Sequence, residues 1–181
     1  GVVHQGIALT IAPYEYKELD DVLGLGTNTR PALLVVLDGV TDTRNLGAIA
    51  RSAAAFGATG IVIPSRRSAT VTAAAWRTSA GAFAHVPVAM VSNLTNAIEK
   101  AKAAGFMTVG LAGDADVDIT KAELGNDPVV LVVGSEGKGL SRLVSETCDV
   151  RASIAIEDKV ESLNVSVAAA IAMHSVVTGR N

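Results

Sequence analysis

The sequence predicts an α/β domain: a parallel sheet of about six strands with helices on both faces. Short apolar segments rich in β-branched residues alternate along the chain with longer segments of helical spacing, as in doubly wound sheets. Hydrophobic residues make up 49% of the 181 positions and charged residues 18%, a balance that suits a buried sheet. The net charge of −3 excludes a small basic nucleic-acid module on charge alone.

The predicted elements follow one another with short connections. The expected strands are Leu33–Leu37, Ile61–Ile63, Val86–Val91, Met107–Leu111, Val129–Val133 and Ser153–Ile156. The expected helices are Leu46–Phe56, Val71–Ala80, Leu94–Ala104, Leu140–Thr147 and Val165–Val177, with a short one within Tyr14–Leu23. Val2–Ile11 reads as an extended lead-in. We therefore expect residues 31–181 to form one domain and residues 1–30 to lead into it.

Ligands of open parallel sheets bind beyond the carboxyl ends of the strands. The loops that follow the predicted strands are therefore candidate ligand sites. Those with unusual composition are Asp38–Asn45, Gly134–Gly139 and Glu157–Ser162, together with the arginine-containing Pro64–Ser68.

The loop Gly134–Gly139 carries three glycines between a strand and a helix. Glycines at such a place allow a ligand to approach the backbone closely. The spacing fits neither a phosphate-binding P-loop nor a dinucleotide fingerprint. A tight turn that needs positive φ explains the glycines equally well, so both interpretations stay open.

The helix after the first strand carries an arginine away from its apolar side. Asn45 is a plausible N-cap and Gly57 a plausible stop. Arg51 lies roughly opposite the apolar stripe, and Arg44 falls on the same side. A solvated arginine is the ordinary outcome, and a guanidinium aimed at a phosphate or a developing oxyanion is the alternative.

The last quarter of the chain predicts a strand, a polar loop and a helix. Ser162 and Asn164 occupy positions expected for a helix N-cap. The first backbone amides of such a helix lack partners within the helix, so we expect those near Asn164 to be free to bind a ligand. A plain strand–loop–helix with a good cap is the simpler interpretation.

Three stretches taken together resemble the SpoU (TrmH-type) branch of the SPOUT family of RNA 2′-O-ribose methyltransferases. They are Leu37–Ser52, Leu131–Leu140 and Ser153–Ala168. His4-Gln5-Gly6 and Asp38–Asp42 further resemble a bacterial subgroup that methylates a guanosine of 23S ribosomal RNA. In that subgroup, His-Gln-Gly joins an N-terminal RNA-binding domain to the catalytic domain. The resemblance implies that residues 1–30 lead in from such a domain and that residues 31–181 are catalytic.

The resemblance also implies a deep C-terminal trefoil knot, a homodimer with a composite active site, and S-adenosylmethionine as the cofactor. The implied catalytic residues are Arg51, Asn45, Glu136, Ser162 and Asn164. The implied cofactor-binding residues are Gly134, Ser135, Gly139, Ile154, Ile156, Ser162, Leu163 and Asn164. RNA contacts are expected from Arg44, Arg51, Arg66 and Arg67, which together with Arg77 can form a basic rim. One departure is Ala155-Ile156-Glu157, where close relatives often carry proline.

The implied function is methyl transfer to a ribose 2′-hydroxyl, with a guanosine of 23S ribosomal RNA as the favoured target. Transfer RNA is an alternative substrate, and a non-catalytic RNA- or nucleotide-binding module is an alternative class. The missing G-x-G-x-x-G argues against an oxidoreductase. The scattered His4, His85 and His174 predict no metal site, and the single Cys148 favours a reducing cytoplasm. No apolar run approaches membrane-spanning length.

Overall fold

The computed structural model confirms the α/β class and shows one seven-stranded sheet whose paired strands are all parallel. It describes residues 12–26, 31–122, 124, 127–157 and 159–180. The predicted lead-in Val2–Ile11 and the His4-Gln5-Gly6 motif lie outside these residues. The strands are β1 Leu33–Asp38, β2 Gly60–Pro64, β3 Val88–Val91, β4 Met107–Leu111, β5 Val117–Asp118, β6 Val129–Gly134 and β7 Val150–Ser153. Their order is β3-β2-β1-β6-β4-β7-β5.

Strands β1 and β6 form the centre of the sheet. They pair in register from Leu33 opposite Val129 to Asp38 opposite Gly134. Nearly every residue in both strands is buried, as expected for strands covered on two faces. Their carboxyl ends therefore place the loops after Asp38 and Gly134 side by side.

Helices cover both faces of the sheet. They are α1 Leu19–Leu23, α2 Thr43–Phe56, α3 Ala73–Thr78, α4 Leu94–Ala103, α5 Arg142–Thr147 and α6 Val165–Thr178, with a 3₁₀ turn at Ala82–Ala84. Residues of α2, α3 and α6 share one apolar cluster with Leu33, Val35 and Leu37. Residues of α1, α4 and α5 share the other. None of the helices in the described parts of the chain is both long and apolar enough to span a bilayer.

Two strand predictions need correction. The last predicted strand was placed at Ser153–Ile156, whereas β7 runs from Val150 to Ser153. Val150 and Ala152 pair with β4, while Ile154 and Ile156 leave the sheet and line a cavity. The β-branched residues whose pattern predicted a strand thus form part of the cavity wall. The seventh strand, β5, has only two residues and gives no apolar run to detect.

The predicted N-cap of α2 was also wrong. The cap is Asp42, whose side chain accepts a hydrogen bond from Arg44 N at 2.8 Å. The helix therefore begins at Thr43, and Asn45 lies in its first turn with its side-chain amide free for another task. The predicted stop at Gly57 is confirmed, since this residue is left-handed with φ 69°.

Candidate active site

The three sequence stretches meet at one carboxylate. Oε1 of Glu136, in the loop after β6, accepts hydrogen bonds from Asn164 Nδ2 at 2.7 Å and from Asn45 Nδ2 at 3.2 Å. The same oxygen accepts from Val165 N at 3.3 Å. Asn164 Nδ2 also lies 3.1 Å from Asn45 Oδ1. We call Asn45, Glu136 and Asn164 the Glu136 cluster.

The helix ends explain why these side chains converge. Asn164 is the N-cap of α6, as predicted, and its Oδ1 accepts from Ser166 N at 2.9 Å. Its Nδ2 therefore remains free to donate to Glu136. The expectation that the first amides of α6 are open to a ligand was wrong. Val165 N and Ser166 N donate to side chains, and Val167 N and Ala168 N donate to Asn164 O. Glu136 thus places a carboxylate at a helix N-terminus, where it is favoured.

A cavity of about 740 Å³ lies beside this cluster and includes Glu136 in its wall. Its size falls within the range of small-molecule sites. The predicted cofactor-binding residues that line it are Gly134, Ser135, Gly139, Ile154, Ile156, Ser162 and Leu163. Asn164 is not among the lining residues and reaches the cavity wall through Glu136. The structure therefore gathers seven of the eight predicted residues around one cavity.

The glycine loop is both a tight turn and a cavity wall. Ser135 and Gly139 exchange backbone hydrogen bonds of 3.0 and 2.9 Å, and Gly137 and Gly139 have positive φ. A Cβ on Gly134 would lie 2.1 Å from the carbonyl carbon of Gly139, so a side chain there would force the backbone of the loop to shift. Asp38 accepts from Ser141 N at 2.6 Å and so ties the loop to β1. The two interpretations of the glycines are therefore compatible.

One wall of the cavity was missed from the sequence. Leu111 to Asp114, after β4, line it together with Arg151 of β7. Asp114 and Arg151 form an ion pair, and the hydrogen bond from the guanidinium lowers the pKa of Asp114. The rule that ligands bind beyond strand ends pointed to this loop as well, but its residues form no motif.

The predicted arginines lie outside the cavity wall. Arg51 is exposed on α2, as its position opposite the apolar stripe predicted, and makes no hydrogen bond or ion pair with the residues described. Arg44 pairs with Asp42 at 3.0 Å, and Arg66 and Arg67 are exposed after β2. Ser162 lines the cavity but does not join the Glu136 cluster. Hydrogen bonds within the single chain therefore join three of the five predicted catalytic residues, namely Asn45, Glu136 and Asn164.

Within the described parts of the chain, no group of three or more His, Cys, Asp or Glu side chains is arranged to hold a metal ion. The cavity is instead walled by backbone, apolar side chains and ion pairs. Arg142 and Glu146 of α5 form one of these pairs at 2.8 Å. Such a lining suits an organic ligand with apolar and polar parts.

Comparison with known proteins gives consistent matches. Residues 32–174 match the family described as SpoU rRNA Methylase. An uncharacterized tRNA/rRNA methyltransferase of Mycobacterium ulcerans is 53% identical over 178 residues, and one of Mycobacterium leprae is 52% identical over 178 residues. Each alignment covers 98% of this chain and 57% of the relative. The chain thus spans little more than half the length of these relatives.

Solved structures with the same fold include the SpoU methyltransferase AviRb from Streptomyces viridochromogenes. It superposes with a TM-score of 0.80 at 29% identity, covering 92% of this chain and 65% of that one. The AviRb complex with AdoMet gives 0.74 at 30% identity, covering 81% and 57%. An AdoMet-bound rRNA methyltransferase from Sinorhizobium meliloti gives 0.79 at 28% identity, covering 90% and 60%.

Proposed function

The chain belongs to the SpoU rRNA methylase family, and we propose that it transfers a methyl group from S-adenosylmethionine to a ribose 2′-hydroxyl of RNA. The observation that carries this proposal is the meeting of Asn45, Glu136 and Asn164 at the wall of the cavity. These residues come from three separate stretches of the chain, and neither core packing nor capping alone requires all three contacts.

The cavity fits the proposed cofactor in size and in chemistry. Apolar side chains such as Leu111, Ile154 and Leu163 suit a flat heterocycle, and the exposed backbone of the glycine loop offers polar groups. The glycine loop at residues 134–140, together with Ile154, Ile156, Ser162 and Leu163, would hold the cofactor. When bound, it supplies a methyl group on a positively charged sulfur, which is already activated for displacement.

The residues of this chain then have to align the hydroxyl and assist the loss of its proton. The Glu136 cluster holds two amide side chains in fixed positions next to the cavity. Arginine side chains are not bases in proteins, so the proposed role of Arg51 is to stabilise the developing alkoxide or the neighbouring phosphate. A substrate phosphate or a water molecule accepts the proton of the hydroxyl. Ser162, on the cavity wall, completes the proposed catalytic set.

The proposed substrate is a guanosine of 23S ribosomal RNA. The support is the Asp38–Asp42 stretch and the His4-Gln5-Gly6 motif, which resemble the subgroup with that target. The curated relatives carry names that cover both transfer and ribosomal RNA, so transfer RNA is the second candidate. The intact Glu136 cluster disfavours a purely binding module.

We further propose a homodimer in which α6 forms part of the interface. Val167 and Ile171 are 46% and 37% exposed and lie one turn apart on this helix, whose opposite side is buried in the core. The deep knot, the cytoplasmic location and an N-terminal RNA-binding domain preceding residues 1–30 belong to the same proposal. Without that domain, the net charge of −3 predicts weak RNA binding by this chain alone.

Product analysis tests the proposed function. Full-length protein would be incubated with ribosomal or transfer RNA and methyl-labelled cofactor, and the RNA would be digested to nucleosides for mass spectrometry. We expect label in 2′-O-methylguanosine from 23S RNA. Label in a base-methylated nucleoside would overturn the ribose assignment, and label from transfer RNA alone would overturn the substrate.

A further inference from the structure

The loop after β2 presents a row of backbone amides without partners. Ser65 N donates to Val91 O and Ala69 N donates to Val40 O, both at 2.8 Å, and these bonds anchor the two ends of the loop. Between them, the amides of Arg66, Arg67 and Ser68 donate to no acceptor among the residues that the structure describes. We call Ser65–Ser68 the β2 loop.

The backbone of the β2 loop has an unusual conformation. Arg67 has φ 56°, in the left-handed region that side-chain-bearing residues rarely adopt. A left-handed residue that follows a residue with negative φ can turn successive amides toward one side, a concavity known to bind anions. Strained backbone of this kind persists where the surrounding structure holds it, and it is common at ligand sites. The two anchoring hydrogen bonds supply that restraint here.

The charge around the β2 loop favours an anion. Arg66 and Arg67 are exposed and form no ion pair with any described residue. Residues 43–98 contain five arginines and no lysine, aspartate or glutamate. Asp38 and Asp42, the acidic residues nearest in sequence to the anchor Val40, already accept hydrogen bonds within the chain.

The position of the β2 loop relates it to the Glu136 cluster. Its anchor on Val40 O places it next to the segment that leads from β1 to Asn45. Strand β2 is separated from β6 by β1 alone, and neighbouring strands lie about 4.8 Å apart. The loops after β2 and β6 are therefore on the order of 10 Å apart at their bases, a distance that one RNA strand can bridge.

We propose that the β2 loop is a phosphate-binding site that holds a backbone phosphate of the RNA strand next to the methylated nucleotide. The amides of Arg66, Arg67 and Ser68 bind the phosphate oxygens, and the two guanidinium groups add charge-assisted hydrogen bonds. Arg66 and Arg67 are thus positioning residues for the substrate. This inference rests on the proposed function, because the phosphate belongs to its RNA substrate.

Amide chemical shifts test the site directly. Full-length protein labelled with ¹⁵N would be titrated with inorganic phosphate and, separately, with a short single-stranded RNA. We expect the amide signals of Arg66, Arg67 and Ser68 to move with both ligands, and at lower concentration with RNA. Shifts with phosphate but not with RNA would mean a free-anion site and would overturn the proposal, as would unmoved signals in both titrations.

Two substitutions, one at each arginine, separate the contribution of the backbone amides from that of the side chains. Arg67→Gly removes the guanidinium and accommodates φ 56°, so it should fold normally and keep the phosphate-induced shifts of the neighbouring amides. Arg66→Ala and Arg67→Gly should each weaken RNA binding on the order of tenfold and reduce its salt slope by about one. Lys121→Ala removes an exposed charge after β5 and serves as the control, with unchanged affinity.

Cofactor binding and methyl transfer, measured on the same samples, separate this inference from the proposed function. If RNA is methylated but neither the shifts nor the affinity depends on the β2 loop, the phosphate site is wrong and the proposed function stands. If the loop binds RNA but no methyl group is transferred, the proposed function fails and the RNA site survives.

Discussion

Two segments of the chain, which we call the two sides, differ in the kind of ligand that suits them. One contains β2 and β3 at one edge of the sheet, and the other contains β4 to β7 toward the opposite edge. Residues 43–98, from α2 to the start of α4, carry five arginines and no acidic residue, whereas residues 99–181 carry twelve acidic and eight basic ones. The second segment forms most of the cavity through backbone and apolar groups, and the first contributes none of its lining. Under the proposed function, the RNA is recognised by charge on one side and the cofactor by shape on the other.

Two loops show the same contrast in their backbone. Gly137 and Gly139 adopt positive φ in the glycine loop at little cost, and Ser135 and Gly139 pair their amides internally. The β2 loop places Arg67 at positive φ and leaves three amides without an acceptor among the described residues. The first loop is a closed turn that shapes a cavity, and the second is an open one whose amides can bind.

The largest effect on activity is expected for substitution of Arg51, which we propose acts on the RNA at the point where it reaches the cofactor. Arg51→Ala should slow single-turnover methylation on the order of 100- to 1,000-fold, because it removes a donor that stabilises the transition state. Cofactor affinity and thermal stability should stay unchanged, since the side chain is exposed. Arg51→Lys should restore little activity, because an ammonium cannot act as a planar two-pronged donor. Alanine activity within a few-fold of the parent would remove Arg51 from the mechanism.

A smaller effect is expected for a change on the cavity side. Gly134→Ala forces a Cβ against the backbone of Gly139, which cannot move cheaply. Cofactor affinity should fall roughly tenfold to a hundredfold by calorimetry, as expected for an overpacked site. RNA affinity should change little if the two sides are independent. Gly24→Ala, whose Cβ meets only Asp20 O at 3.6 Å, is the control and should alter neither affinity.

A matched pair of helix caps separates stability from function. Asn164 and Asn93 each cap a helix by accepting a backbone hydrogen bond, but Asn164 alone belongs to the Glu136 cluster. Either alanine variant should lower the free energy of unfolding by about 1 kcal/mol. Activity should fall only for Asn164→Ala. Equal activity in the two variants would contradict a functional role for the cluster.

A further effect depends on pH and concerns the partly buried thiol of Cys148, outside the cavity lining. Burial raises the pKa of the Cys148 thiol to about 11, and its sulfur lies near Gly110. In the unfolded chain a thiol titrates near pH ~8.5. Between these values the unfolded state loses a proton that the folded state keeps, so the free energy of unfolding should fall as pH rises. Cys148→Ala should flatten this part of the stability curve, and identical curves for both proteins would count against the assignment.

Much of the fold could be predicted because the buried strands are continuous apolar runs. Val129–Val133 is such a run, and β6 includes all of it. The end of the sheet was less predictable, since Ile154 and Ile156 have strand-like character but line the cavity. Helix starts were ambiguous because Asp42 and Asn45 are both good caps, and three-dimensional context decides between them.

The sequence named residues for the candidate site but could not predict their geometry. Family resemblance pointed to Asn45, Glu136 and Asn164, yet the hydrogen bonds that join them span 28 to 119 residues, and no periodicity encodes such pairs. The unpaired amides of the β2 loop were equally hidden, because arginine seldom adopts the conformation found at Arg67. Local patterns report neighbours along the chain, whereas this site is made across strand ends.

The division between the two sides is tested most directly by measuring how the RNA affinity and the cofactor affinity of the same protein depend on salt. Full-length parent and the double variant Arg66→Ala/Arg67→Gly would be titrated with RNA and with cofactor at about 50 and about 200 mM salt. We predict that the RNA affinity of the parent falls steeply, that the salt slope of the variant is smaller by about two, and that cofactor affinity changes by no more than about twofold. Equal RNA slopes in the two proteins, or a cofactor affinity that falls in parallel with RNA affinity, would contradict the division.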